Sequence, residues 1–302
     1  MDRNELRGLQ AAIVAYTLWG LLTIYWKQLA GFNAFELIGW RVATAGVVMA
    51  VIVTLLGRWP SLVVAGRDRA LLGRVALASL LLTVNWTTYV WAVANERVIE
   101  TALGYFLAPL GTMALGVVVL GERLTPLKQW SAALAGVAVI VLTVSYGRMP
   151  WVALLLAASW SWYGLTKRRV SLDPIESLTG ELLVLLVPAL CLIAFGWLRT
   201  EGIPSQAVGL DWALLLGTGT ITAAPLLLFA YAAQRVPFTI LGPANYLVPL
   251  INFLLGWLVF DEALPPSRVV GFTLVWIALV LVTVDTVRRR GLVERTAPVP
   301  VR

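Results

Sequence analysis

The 302-residue sequence contains no histidine and a single cysteine, Cys191. These absences exclude a His- or Cys-based metal site, a Ser-His-Asp or Cys-His catalytic arrangement, a histidine proton relay and a disulfide-stapled module. Charge is scarce as well: Asp, Glu, Lys and Arg make up 13% of the chain, about half the share usual in soluble proteins. So little charge argues against disorder, and 25 aperiodic glycines argue against a collagen-like fibre. A glycine-rich phosphate loop and a carboxylate cluster fit for a dedicated cation site are both missing, so no cofactor and no metal are expected.

What is abundant is apolar. Hydrophobic residues reach 60%, more than a soluble chain of this length can bury. Ten apolar runs stand out: Leu9–Leu29, Glu36–Gly57, Leu71–Ala94, Ile99–Gly121, Leu127–Tyr146, Pro150–Thr166, Ser177–Leu198, Asp211–Ala233, Phe238–Phe260 and Val269–Val287. Each is about the 17–25 residues that a helix needs to cross a bilayer, and no soluble stretch of domain size remains. The first run is too long for a signal-peptide core and lacks a small-residue cleavage site, so it is expected to be retained. Cys191 lies inside a run and reads as a small packing residue.

The net charge of +7 is not gathered into a stripe, so nucleic acid is not an expected partner. The basic residues fall between runs. Numbering the loops alternately puts seventeen, among them Arg58, Arg74, Lys128, Lys167 and Arg288, on one side. Five, Lys27, Arg97, Arg148, Arg199 and Arg268, are on the other, with Arg41 inside a run. That asymmetry predicts a multi-pass protein of the cytoplasmic membrane with both termini cytoplasmic.

The chain also aligns with itself at a constant offset of 140 residues. Pro109, Gly116, Glu122 and Pro126 fall on Pro249, Gly256, Glu262 and Pro266; Glu36 falls on Glu176, and Arg41 on Glu181. Five runs separate equivalent positions, so the two halves must cross the membrane in opposite directions. The expectation is an all-α membrane protein of ten transmembrane helices in two inverted five-helix repeats, residues 9–146 and 150–288, with a cytoplasmic tail at 289–302. Inverted repeats are the architecture of many secondary transporters.

Pro109 and Pro249 sit near the middle of runs four and nine, where each removes a backbone donor and frees the carbonyl of Tyr105 or Asn245. Helix breaks there are expected to face a cavity. Pro188 is likewise expected to break run seven. Arg41 and Glu181 are charges inside runs two and seven, expected to face an outer and an inner vestibule or else to snorkel. Asn85, Asn245 and Asn252 lie deeper; Asn85 with Trp86 and Tyr89 forms the preferred ligand-contacting cluster. Trp19, Tyr105 and Tyr246 complete the candidate substrate-binding set. Trp26, Trp59, Trp130, Trp151 and Trp212 fall near run ends and read as an aromatic belt, whereas Trp19, Trp86, Trp160 and Trp257 lie farther in. Glu122 and Glu262 read as solvated or turn-capping, and Glu36, close to a run boundary, as solvated. Thr112-x-x-x-Gly116 and Ala132-x-x-x-Gly136 are small-residue steps for close helix contact within one chain or in a homodimer.

The segments Tyr16-Thr17-Leu18-Trp19-Gly20, Tyr25-Trp26-Lys27, Asn85-Trp86, Leu103-Gly104-Tyr105-Phe106, Pro109-Leu110, Gly121-Glu122-Arg123-Leu124 and Trp162-Tyr163-Gly164-Leu165 resemble the drug/metabolite transporter superfamily with two EamA domains, and within it the RarD-type permeases. That resemblance implies a central cavity ringed by spans one to four and six to nine, with spans five and ten peripheral. It implies a permease for small metabolites or drugs, a group whose name is linked to chloramphenicol sensitivity. Three positions depart from the pattern: Trp40 where RarD-like chains often carry histidine, Thr23 where they carry proline, and Asn245 where they carry glutamine. The expected function is therefore an alternating-access permease for a small-molecule substrate in the lipid bilayer. The alternatives are a non-transporting assembly or scaffold protein and a membrane-embedded transferase.

Overall fold

The computed structural model describes residues 3–121, 123–167, 169–233, 235–236 and 245–296, among which no strand occurs. In chain order the helices are α1 (Arg3–Gln28), α2 (Ala34–Leu55), the short α3 (Trp59–Ala65), α4 (Arg69–Ala94), α5 (Val98–Leu120), α6 (Pro126–Tyr146) and α7 (Trp151–Lys167). They continue as α8 (Pro174–Trp197), the single turn α9 (Ile203–Gln206), α10 (Leu210–Ala233), α11 (Leu247–Leu254) with a π-helical extension Leu255–Val259, and α12 (Pro266–Thr296). Eight of these are long and apolar enough to cross a membrane: α1, α2, α4, α5, α6, α8, α10 and α12. The sixth expected run is the 17-residue α7. The ninth is described only from Asn245, where Leu247–Val259 is a shorter apolar helix. The chain is a multi-pass helical membrane protein.

Local chemistry explains where the helices begin and end. Asn33, Asp68, Thr125 and Asp173 cap α2, α4, α6 and α8 by accepting backbone N–H bonds that have no partner within the helix. Pro126 and Pro174 occupy the first helical position, where a missing N–H costs nothing. Gly121 and Gly147 close α5 and α6 in the left-handed region, at φ 67° and 64°.

The helices pair as α2 with α8, α1 with α10, α5 and α4 with α7, and α6 with α12. One core cluster runs through α1, α2, α4, α8 and α10, and a second through α5, α6, α7, α11 and α12. The outward faces are apolar rather than polar, with Leu55, Val118, Val144 and Leu198 all more than three-quarters exposed. This is the side-chain distribution of a chain whose solvent is lipid.

Several expectations are corrected here. Pro109 and Pro188 do not break their spans, because α5 and α8 run on through them. Pro249 stands in the first turn of α11, and the part of run nine before Asn245 lies outside the described residues. Cys191 is exposed on α8 and does not pack in the core. The small-residue step at Gly136 approaches nothing, with no atom within 4 Å of a Cβ added there. Close approach occurs instead at Gly219 of α10, where an added Cβ would lie 2.4 Å from the Thr44 carbonyl carbon of α2. Glu122 and residues 297–302 of the expected tail lie outside the described residues; residues 289–296 continue α12.

Candidate functional site

Eight helices, α1, α2, α4, α5, α7, α8, α10 and α11, enclose one cavity of about 300 Å³ to which α6 and α12 contribute no side chain. Its size lies at the lower end of the roughly 300–1,000 Å³ usual for small-molecule sites. Pro109, Pro249 and seven of the nine candidate substrate-binding residues line it: Trp19, Arg41, Asn85, Trp86, Tyr89, Tyr105 and Asn245. Glu181 and Tyr246 do not. Tyr246 packs with the second core cluster.

Arg41, about two turns into α2, is buried in the cavity wall. Its guanidinium carbon lies 3.8 Å from the centroid of Trp86 and 5.1 Å from that of Trp26. Its Nε donates to Thr222 Oγ1 at 3.1 Å. Among the described residues it forms no ion pair. The expected outer vestibule is thus replaced by the central cavity, where cation–π stacking rather than a carboxylate holds the charge.

Two hydrogen-bond chains hold the remaining polar residues in place. Tyr89 and Thr23 hydroxyls are 2.6 Å apart, and Thr23 donates on to Asn252 Oδ1 at 2.8 Å. Tyr105 donates to Asn85 Oδ1 at 3.1 Å, while Asn85 Nδ2 donates to Leu156 O and Ser159 Oγ. From there the rings form a continuous series: Tyr89 to Tyr105 at 5.9 Å, Tyr105 to Trp160 at 6.3 Å, Trp160 to Tyr163 at 5.5 Å. Thr23 is therefore a tether for two lining residues, whereas Trp40 packs edge-to-face on Trp212 at 5.4 Å outside the lining.

Glu181 is fully buried behind the cavity rather than facing a vestibule. Lys167 Nζ donates to its Oε1 at 2.6 Å, Ser177 donates to the same oxygen, and Tyr163, a lining residue, donates to Oε2 at 3.1 Å. All this charge is answered inside the protein. Glu36, expected to be solvated, is also buried; its Oε2 accepts from Ile203 N at 2.8 Å and caps α9. Glu176 accepts from Ser61 of α3 at 2.6 Å.

The two ends of the cavity differ. Trp26, Arg41, Tyr89 and Asn252 are buried on the side where α1 joins α2 and α4 joins α5. Thr112, Trp160 and Asn245 are exposed on the side where α7 joins α8. The closed end is clasped by Glu262, whose carboxylate accepts from Val98 N and Ile99 N at the start of α5. Gly256 brings the π-helical segment against the same turn, since an added Cβ there would lie 2.7 Å from Ile99 Cγ1. Burial raises the Glu262 carboxyl above its ordinary range, against the opposing pull of the two amides and Lys27.

Sequence reasoning missed Trp26 and Thr222. Trp26 stands near a span end like a belt tryptophan, and a lone threonine in a span carries no signal of its own.

The EamA-like transporter family profile matches twice, over residues 6–145 and 148–284. Protein RarD of Streptomyces exfoliatus is 42% identical over 98% of this chain and 95% of its own length. An uncharacterized transporter, YojE of Bacillus subtilis strain 168, is 35% identical over 93% of this chain and 95% of its own. A protein solved by crystallography shares the fold with TM-score 0.59 at 20% identity, covering 92% of this chain and 97% of the other.

Proposed function

The chain belongs to the EamA-like transporter family as a RarD-type member, and from that premise we propose that it carries a small, aromatic or amphipathic metabolite across the cytoplasmic membrane by alternating access. Its ten spans form two inverted five-helix halves, at 9–146 and 150–288, with both termini cytoplasmic. The observation that carries this reading is the cavity, whose described lining is buried at the Arg41 end and exposed at the Asn245 end. With the basic loops inside, the open end faces the cytoplasm.

Reciprocal contacts support the inverted halves. Glu36 of the first half holds α9 of the second, and Glu176 of the second holds α3 of the first. These residues are 140 positions apart, and their contacts lie at opposite ends of the paired helices α2 and α8. Exchange of the two arrangements would require the Glu262 clasp on α5 to open. The substrate-binding residues in this reading are the lining ones: Trp19, Arg41, Asn85, Trp86, Tyr89, Tyr105 and Asn245. Tyr246 and Glu181 act as supports.

Reconstitution tests it. Purified protein in liposomes should show counterflow of at least one compound from a panel of amino acids, aromatic acids and amines, and amphenicols. Flux should fall in Arg41→Ala. No counterflow across the panel, with Arg41→Ala indistinguishable from wild type in cells, contradicts it.

A further inference from the structure

Among the described residues, the buried side-chain polar atoms of the cavity wall that lack a partner are donors. The Arg41 guanidinium carries five N–H groups, of which only Nε meets an acceptor among the described residues. Trp26 Nε1, beneath the same guanidinium, is buried without a partner, as is Asn252 Nδ2 in the orientation its network assigns. All three residues line the closed end of the cavity. The tyrosine and asparagine acceptors nearby are already engaged by Thr23, Tyr105 and one another.

Among the described residues the lining also holds one formal charge, Arg41, and no counter-charge. Among the described residues no Asp or Glu lines the cavity, and the carboxylate just behind it, Glu181, is matched by Lys167. A desolvated cation with unused donors is costly unless something answers it. The guanidinium fork fits a planar two-oxygen acceptor. A dianionic phosphate would call for a second cation, and the described lining supplies only Arg41. Beyond Arg41 the wall is aromatic, running from Trp86 through Tyr89, Tyr105 and Trp160 to Tyr163.

We infer that the occupant of this cavity is a monoanionic carboxylate with a flat apolar body, its carboxylate on Arg41 and its body along the Tyr105–Trp160 rings. This rests on the permease reading and assigns the substrate class of that site. A substrate ammonium finds no carboxylate in the wall, so net charge −1 is selected over a zwitterion.

The test uses the full-length purified protein and four matched probes: 3-phenylpropionate, 3-phenylpropionamide, 3-phenylpropylamine and phenylalanine. Binding is read by tryptophan fluorescence and by the shift in thermal unfolding. The anion should bind about 10- to 100-fold tighter than the amide, the size expected of a charge-assisted hydrogen bond out of water. Arg41→Gln should erase that preference, while Arg41→Lys, which keeps the charge, should retain part of it. Equal or tighter binding of the amide, amine or zwitterion overturns the inference, as does an anion preference that survives Arg41→Gln, or no binding of any probe. Counterflow separates the two levels: transport of neutral or cationic compounds alone sinks the carboxylate assignment and leaves the permease standing, whereas no transport of any compound sinks both.

Discussion

Arg41 and Glu181 fall on one another when the sequence is aligned with itself at an offset of 140 residues, and the protein treats them in opposite ways. Glu181 is surrounded by three donors, Lys167, Ser177 and Tyr163. Arg41 has aromatic faces and a single threonine oxygen. Burial alone therefore does not mark a functional charge in a membrane protein. The useful distinction is whether the protein supplies the counter-ion: where it does, the charge ties helices together, and where it does not, the charge is left for something that enters the cavity.

Mutation can break that contrast. The largest loss of stability is expected for Glu181→Gln, which leaves Lys167 beside a neutral amide. The cost should be about 3 kcal/mol, at the low end for a broken buried pair because Lys167 keeps some contact with water. Adding Lys167→Met should recover much of it, as replacing the whole pair by apolar groups often does. Thermal unfolding in detergent measures both; a Glu181→Gln protein as stable as wild type would remove the structural role assigned to this pair.

The clasp at Glu262 is intermediate. Glu262→Ala strips the acceptor from two N–H groups in a buried turn, for a loss of about 1–2 kcal/mol. Arg41→Gln should change stability least, within about 1 kcal/mol, because losing a desolvated cation–π stack offsets the relief of a buried charge. If Arg41→Gln destabilises as much as Glu181→Gln, the contrast collapses and Arg41 is structural.

How much of this could be read in the sequence depends on how far apart the partners lie. The eight long apolar helices followed from apolar length, and Arg41, Asn85, Trp86 and Tyr89, which line the cavity, from being polar or amphipathic within apolar runs. Asn85 was legible as a candidate, and it lines the cavity, but not as a residue whose amide is spent on Leu156 and Ser159. The partner of Glu181 was within reach: Lys167 ends α7 and Glu181 stands about two turns into α8, its antiparallel neighbour, so a hairpin brings them together. Val98 as partner of Glu262, or Ile203 as partner of Glu36, could not be found, since more than 160 residues separate each pair. Proline was misleading because it signals a missing donor, and helices α5 and α8 tolerate that loss without ending.

The smallest expected effect is a pH dependence at the clasp. The Glu262 carboxyl is raised by burial, so the clasped state holds its proton more tightly than an opened or unfolded one. Its contribution is fullest below the ordinary glutamate pKa of about 4.3 and declines as pH rises through the raised value. The melting temperature of wild type relative to Glu262→Gln should therefore fall from pH 4 toward neutrality; a difference that grows over that interval contradicts the assignment.

Alternating access itself has a direct test that needs no known substrate. Leu82 lines the cavity near the middle of α4. In a Cys191→Ala background, a membrane-impermeant thiol reagent should modify Leu82→Cys from the cytoplasmic side in inverted vesicles and also, more slowly, from the outside in intact cells. Modification from one side only, under all conditions that preserve counterflow, would contradict a cavity that opens alternately to the two faces.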